Sequence, residues 1–457
     1  MVRPRARRLW MIATLLGAGL VGARIVRADY EAAKRQFQEH AHAADWKERR
    51  DAYRALADHD GGPAATLILQ ALGTDSHPAV VAGAMDVVGQ MRSSGAKEAI
   101  LAALAKGRPS ERLLAVRALA GMLGADVDTA LLAQLASGPP QIAAQAALAL
   151  GRAGRASASG PLLLALASDA WQVRVAVAKA LAALGDKAAL QPLVERLKTD
   201  RGRARAEEIT ALELLTGRAL GASPLRWAAV AAGSDPNAID EKPLLAPTFF
   251  GVPVTGERVV FVLDRSLNMK DAHPFLGPEQ QERLKALCSP VDGERIPWRA
   301  IKTKLQLALA HLRHAVDGLP PGTRFEVLYF AADVQGVFGK KWAVAAGATK
   351  KTLDDALGKL EVDDGINLYE ALLTALDLGG STEDKAWKGG PDQVFLVTNN
   401  MATASEVKDP DAITAAIALR AGLRMVPITT VGIGNHPFTL AEGLATKTGG
   451  RYVNLTK

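Results

Sequence analysis

The sequence predicts a multidomain chain: an α-solenoid of stacked helix pairs, followed by a doubly wound α/β domain. Three observations carry that prediction. Units roughly 30 residues long recur from Asp45 to Gly217, each with room for two helices. Five consecutive apolar residues, Val259–Leu263, read as a strand buried on both faces, and the run stops on Asp264. Beyond it, strand-length and helix-length apolar patterns alternate to the end of the chain, the order of a mostly parallel sheet with helices on both faces.

The N-terminus stands apart. Residues 1–28 hold Arg3, Arg5, Arg7, Arg8, Arg24 and Arg27 and no acid. They account for most of the net charge of +7, since the remainder has 49 basic and 48 acidic residues. The folded part is therefore close to neutral, which argues against a nucleic-acid surface. Four of the arginines precede the uncharged run Leu9–Ala23, which is short for a membrane span. A basic start, an apolar middle and a small-residue exit near Ala23 or Ala28 describe an export signal, cleaved or kept as an anchor. The expected location is thus exported: periplasmic, secreted, or anchored in the inner membrane facing the periplasm. Cys288 is the only cysteine, so no disulfide can form within the chain.

Residues 29–220 form the expected solenoid, with 29–44 as a capping helix. Units start near Asp45, Asp75, Arg108, Pro139, Ser168 and Asp200. In the clearest unit, Val173, Val177, Ala180, Leu181 and Leu184 fall at helical spacing, and Gly185 sits where a helix ends. A second helix offers Leu190, Leu193, Val194 and Leu197. Val173-Arg174 near the start of the first helix and Ala183-Leu-Gly-Asp186 at its end resemble HEAT repeats. Such pairs bury their apolar faces only against neighbours, and stacked repeats offer an extended binding surface.

Pro, Asp, Asn and Gly gather after Trp227, so 221–250 reads as a linker and 251–457 as the second domain. Its expected strands are Val259–Leu263, Arg324–Ala331, Val334–Phe338, Gln393–Thr398, Met425–Val431 and Tyr452–Asn454. Its expected helices are Trp298–Asp317, Lys350–Leu360, Leu368–Leu378, Asp411–Ala421 and Phe438–Thr448. Residues 270–297 make a long, Pro- and charge-rich loop placed to cover the rim of a site.

Asp264, Ser266 and Asn268 put short oxygen-bearing side chains at alternate positions just past the first strand. That is the crevice where open α/β sheets bind ligands, with the chemistry hard cations select. The stretch resembles the start of a von Willebrand factor type A domain, whose metal-ion-dependent adhesion site opens with Asp-x-Ser-x-Ser. In that family a Gly-Thr-Asn-Leu-Tyr loop supplies a threonine and a later strand end supplies an aspartate. Here the loop is Gly365-Ile-Asn-Leu-Tyr369, and Asn399 stands where the aspartate belongs. The resemblance implies the type A fold over about Gly251–Lys457. It implies Asp264, Ser266, Asn268 and Asn399 as metal positions of a degenerate site, holding Mg²⁺ weakly if at all, with Asp363 and Asp364 as partial substitutes. No other cofactor is expected.

No P-loop, no His-Glu-x-x-His and no Gly-x-Ser-x-Gly occurs, and no set of nucleophile, base and orienting group is legible. Gly432-Ile-Gly434 lacks the third glycine of a dinucleotide loop and reads as structural. His40 with His42, and His311 with His314, read as solvated helix surface. Arg201, Arg203 and Arg205 read as a solvated basic run that could also meet an acidic partner. The resulting expectation is a non-enzymatic protein-interaction or scaffold protein of the bacterial envelope, similar to exported bacterial proteins that join HEAT repeats to a type A domain. Two alternatives share the layout or the domain: an RNA-binding protein similar to the Ro ribonucleoprotein, and an accessory subunit of a chelatase-like AAA⁺ machine.

Overall fold

A computed structural model describes residues 29–241, 246–274, 277–286, 296–399 and 401–456. The expected export signal, Cys288 and Asn400 lie outside the described residues. The chain divides into two compact units between Met122 and Leu123. Among the described residues no helix is long and apolar enough to cross a membrane.

The first unit is all helical. Helix α1 covers 29–40. It is followed by α2 (Trp46–Ala57), α3 (Gly62–Leu72), α4 (Pro78–Val88), α5 (Ser94–Lys106) and α6 (Pro109–Leu119). Prolines in the first turn of α3, α4 and α6 start helices without losing a bond, because those N–H groups have no intrahelical acceptor. Arg49 pairs with Asp75 at 3.2 Å, tying one repeat to the start of the next.

The second unit opens with α7 (Ala125–Ser137), α8 (Pro140–Arg152), α9 (Ser159–Ala165), α10 (Trp171–Leu184), α11 (Leu190–Thr199), α12 (Gly202–Thr216) and α13 (Pro224–Ala231). In both units the first helix of each repeat begins within three residues of its expected start. Gly185 is left-handed at φ 66°, as a helix-ending glycine should be. Arg174, buried on α10, holds Asp200 through two bonds of 2.7 and 2.9 Å, repeating the Arg49–Asp75 link. The expected linker contains α13 and runs into a hairpin of β1 (Thr248–Phe249) and β2 (Val252–Pro253).

The sheet comprises β3 (Arg258–Asp264), β4 (Arg324–Phe330), β5 (Val334–Gly336), β6 (Ala343–Val344), β7 (Gln393–Thr398), β8 (Ile428–Ile433) and β9 (Tyr452–Leu455). Its order is β5-β4-β3-β7-β8-β9, with β6 also on β4. The pairs β3–β4, β3–β7, β7–β8 and β8–β9 are parallel, and β5 and β6 run antiparallel to β4. The helices are α14 (Pro278–Ala286), α15 (Lys304–Asp317), α16 (Gly347–Leu357), α17 (Leu368–Leu376), α18 (Glu383–Gly389), α19 (Pro410–Leu423) and α20 (Phe438–Thr448).

The helix expected at Lys350–Leu360 lies three residues earlier, at Gly347–Leu357, and three other boundaries differ for identifiable local reasons. The helix expected from Trp298 starts at Lys304, because Thr303 and Gln306 form a capping box there. The strand expected from Met425 starts at Ile428, because Met425 is left-handed at φ 62°. The strand expected to reach Phe338 ends at Gly336, where the chain bends so that Phe338 and Lys341 can donate to buried Glu326.

Within the second unit the repeats hold the start of the sheet. Gln145 on α8 donates to Gly422 O at 3.0 Å, and Gln172 on α10 donates to Trp387 O at 2.6 Å. Lys179 lies against Gly449, and Glu257 against Gly202. Glu257, Trp387, Gly422 and Gly449 precede β3, β7, β8 and β9 respectively. The repeats therefore abut the end where the parallel strands begin, and the strands finish at the other end.

Candidate functional site at the strand ends

Strands β3 and β7 lie side by side, and the chain leaves β3 in one direction across the sheet and β7 in the other. Asp264 is the last residue of β3 and is fully buried. Its Oδ1 accepts from the Ser266 amide at 2.8 Å. Its Oδ2 accepts from the Asn399 amide at 3.2 Å and faces the Thr398 hydroxyl at 3.4 Å. Burial raises its pKa, and the bonds from Ser266, Asn399 and Thr398 offset part of that rise. The carboxylate is thus surrounded by donors from its own fold.

The structure brings three of the four expected positions together. Ser266 is buried, with its hydroxyl 3.4 Å from Asn399 Oδ1. Asn399 is 2% exposed, and its Nδ2 has no hydrogen-bond partner. Asn268 is not brought in: its side chain is exposed, and its carbonyl is what is engaged, by Lys304 Nζ at 3.2 Å. The Gly365–Tyr369 loop does reach the site. Gly365 takes φ 83° with Ala332 directly beneath, where a β-carbon would come within 2.9 Å. Ile366 is buried and contributes its carbonyl, to the amides of Thr403 and Ala404.

Asp363 and Asp364 face solvent at the rim. Asp363 joins Ser266 in a backbone bridge, and Asp364 Oδ1 accepts from the Gly365 amide. Arg265, which no motif in the sequence marks, lies between the loops. Its guanidinium reaches Asp333 at 2.7 Å and Asp363 at 3.3 Å and sits over the Tyr329 ring at 5.7 Å. Thr398 was also missed. Both act through partners distant in sequence, which residue spacing does not reveal.

Other singled-out residues resolve plainly. His311 corrects an expectation: it is buried rather than solvated, stacked on Phe250 at 3.9 Å with Trp298 edge-on at 5.6 Å. The apolar face of α15 turns it inward, whereas His314 is half-buried and His40 and His42 are exposed. Arg203 pairs with Glu207, and Arg205 donates to Ala222 O at 2.8 Å, so two of that basic run are spent inside the fold. Gly432 has no space for a side chain because His436 covers it, the structural role expected of the glycine pair. The described part of 270–297 borders a cavity of about 590 Å³, with His273, Gln280, Lys304 and Asn435 in its wall. Among the described residues no group of three or more His, Cys, Asp or Glu gathers as metal donors.

A HEAT-repeat family model matches residues 129–213, and a von Willebrand factor type A domain model matches 301–454, a span that begins after Asp264. No curated protein matches the chain. Among solved structures, one described as von Willebrand factor type A from Catenulispora acidiphila is similar at 15% identity, with a TM-score of 0.31. That match takes in 47% of this chain, and the chain spans 43% of that protein's length. The chain thus carries HEAT repeats, matched over 129–213, followed by a von Willebrand factor type A domain, matched over 301–454.

Proposed function

We propose that this protein is a non-enzymatic protein-interaction module of the bacterial envelope, with its strand-end face as docking site and no divalent ion required there. HEAT repeats and type A domains are both interaction modules, which supports the general reading. The observation that carries the choice of face is the pairing of Gln145 and Gln172 with Gly422 and Trp387. The repeats already occupy the strand-start end, so the strand ends are what the sheet presents to a partner. Leu267 and Met401, 46% and 40% exposed, flank the site there.

The donor set argues against an ion. Mg²⁺ asks for near-octahedral oxygen ligands. The remaining carboxylate, Asp264, is committed to internal donors; Ile366 offers hydrocarbon, and Asn399 leaves a buried amide N–H unmatched beside it. An adhesion site without its ion loses carboxylate capture and keeps a shaped polar and apolar surface. The export reading rests on residues 1–28, and the intact mass of the mature protein from a fractionated host tests it.

The docking claim is tested by capture from an envelope fraction on the full chain. A protein partner retained in EDTA and lost with Leu267→Asp or Met401→Asp is expected. Release by EDTA would instead mean a working metal site. A salt-sensitive shift of single-stranded RNA would move the reading to the nucleic-acid alternative. Recovery of an AAA⁺ ATPase from the cytoplasm would move it to the chelatase-like one.

A further inference from the structure

We propose that Arg265 is the fixed cation of this site, ordering the strand-end loops as a divalent ion would in a metal-dependent one. Three segments must be held together there: the turn after β3, the β4–β5 turn and the 361–367 loop. The Arg265 side chain touches all three. It belongs to the first, pairs with Asp333 in the second, and in the third reaches Asp363 and the Glu361 carbonyl at 3.3 and 3.4 Å. Its side chain is 10% exposed, while those of Asp333 and Asp363 are 51% and 62% exposed. A nearly buried guanidinium thus draws two surface carboxylates inward over itself.

The charge logic is that of a metal centre turned round. A cation site gathers carboxylates around a mobile ion, and its loops depend on that ion's concentration. Here the positive charge is covalently part of the chain and held on a planar group. A guanidinium also has enough N–H groups to serve both carboxylates and a carbonyl at once. The backbone adds its own ties, from the Arg265 amide to Phe330 O and from the Asp363 amide to Arg265 O, both 2.9 Å. Those ties survive a side-chain substitution, so the side chain's part can be measured separately.

Arg265 is a positioning residue, and its assignment rests on the ion-independent reading of the site. Hydrogen–deuterium exchange on the full chain, with EDTA or with Mg²⁺, separates the two claims. Wild type is expected to exchange equally in both buffers over 331–335 and 361–366. Arg265→Gln should exchange about tenfold faster in those two segments, with β3 and β7 unchanged, and Arg265→Lys should fall between. Unchanged exchange in Arg265→Gln overturns the assignment. Slower wild-type exchange in Mg²⁺ overturns the ion-independent reading instead. If Arg265→Gln loosens the whole domain, Asp333→Asn with Asp363→Asn decides: local loosening supports the assignment, and no local change overturns it.

Discussion

Glu208 on α12 is 1% exposed, and neither carboxyl oxygen has a donor. Its neighbour is Asp200, already held by Arg174 and Arg196. Burial beside a second carboxylate disfavours ionisation, so Glu208 keeps its proton. Burial first, then Asp200, pushes its pKa up to about 9, while Asp200 is held low against its own burial by Glu208 first and then by Arg174 and Arg196. The consequence for stability has a definite sign. Folded Glu208 binds its proton more tightly than unfolded Glu208. Its contribution is therefore complete below the ordinary glutamate pKa and is lost as pH rises toward 9. Glu208→Gln keeps the shape and the donor without the titration. It should leave the melting temperature unchanged near pH 4 and raise stability by on the order of 1–3 kcal/mol at pH 8. Thermal melts across that range check it, and a loss of stability at pH 8 would show that Glu208 is ionised in the fold. No sequence pattern marks Glu208 as buried; it looks like one more charge on a charged helix.

At the scale of elements, the two glutamines that fasten the repeats to the sheet matter most. Gln172 is 4% exposed, and the carbonyl it serves lies where α18 gives way to β7. Gln172→Ala leaves that carbonyl without its donor and should cost about 1–3 kcal/mol. Gln172→Glu should cost more at neutral pH, because an ionised acceptor then faces an acceptor. Denaturant melts of the two variants rank them. The elements themselves were largely legible. Apolar periodicity placed the first helix of every repeat, and continuous apolar runs placed β3, β4 and β7. What failed was local. Capping at Thr303 and the left-handed Met425 moved boundaries that hydrophobicity alone does not fix, and the short α18 and β6 carry too few apolar residues to be seen.

At the scale of the molecule, a parallel sheet held at its strand starts presents its strand ends, and the chemistry of those ends fixes what they answer to. A divalent ion bound with a millimolar Kd would stabilise the fold by about 1.4 kcal/mol at ten times that concentration of Mg²⁺. No rise in melting temperature with Mg²⁺ is expected, and a saturable rise abolished by Asp264→Asn would reverse the reading. The candidate site was partly legible in advance: Asp264, Ser266 and Asn399 do meet, because each follows directly from a strand end. Asn268 does not join them, since the turn after β3 tightens into a short helical bend that points it outward.

The sequence by itself determined the order of the two architectures, the period of the repeats, the strand that carries Asp264 and the identities of Ile366 and Asn399 near its end. These follow from short-range patterns of apolar spacing and from residue identity. Only the tertiary structure decided that Arg265 pairs with Asp333 and Asp363, that buried Glu208 lies near Asp200, and that the repeats grip the start of the sheet. Each of those unites groups 8 to 277 residues apart, the nearest between the end of α11 and α12 and the farthest across the fold. Such pairings depend on which surfaces pack, and linear spacing carries no record of that.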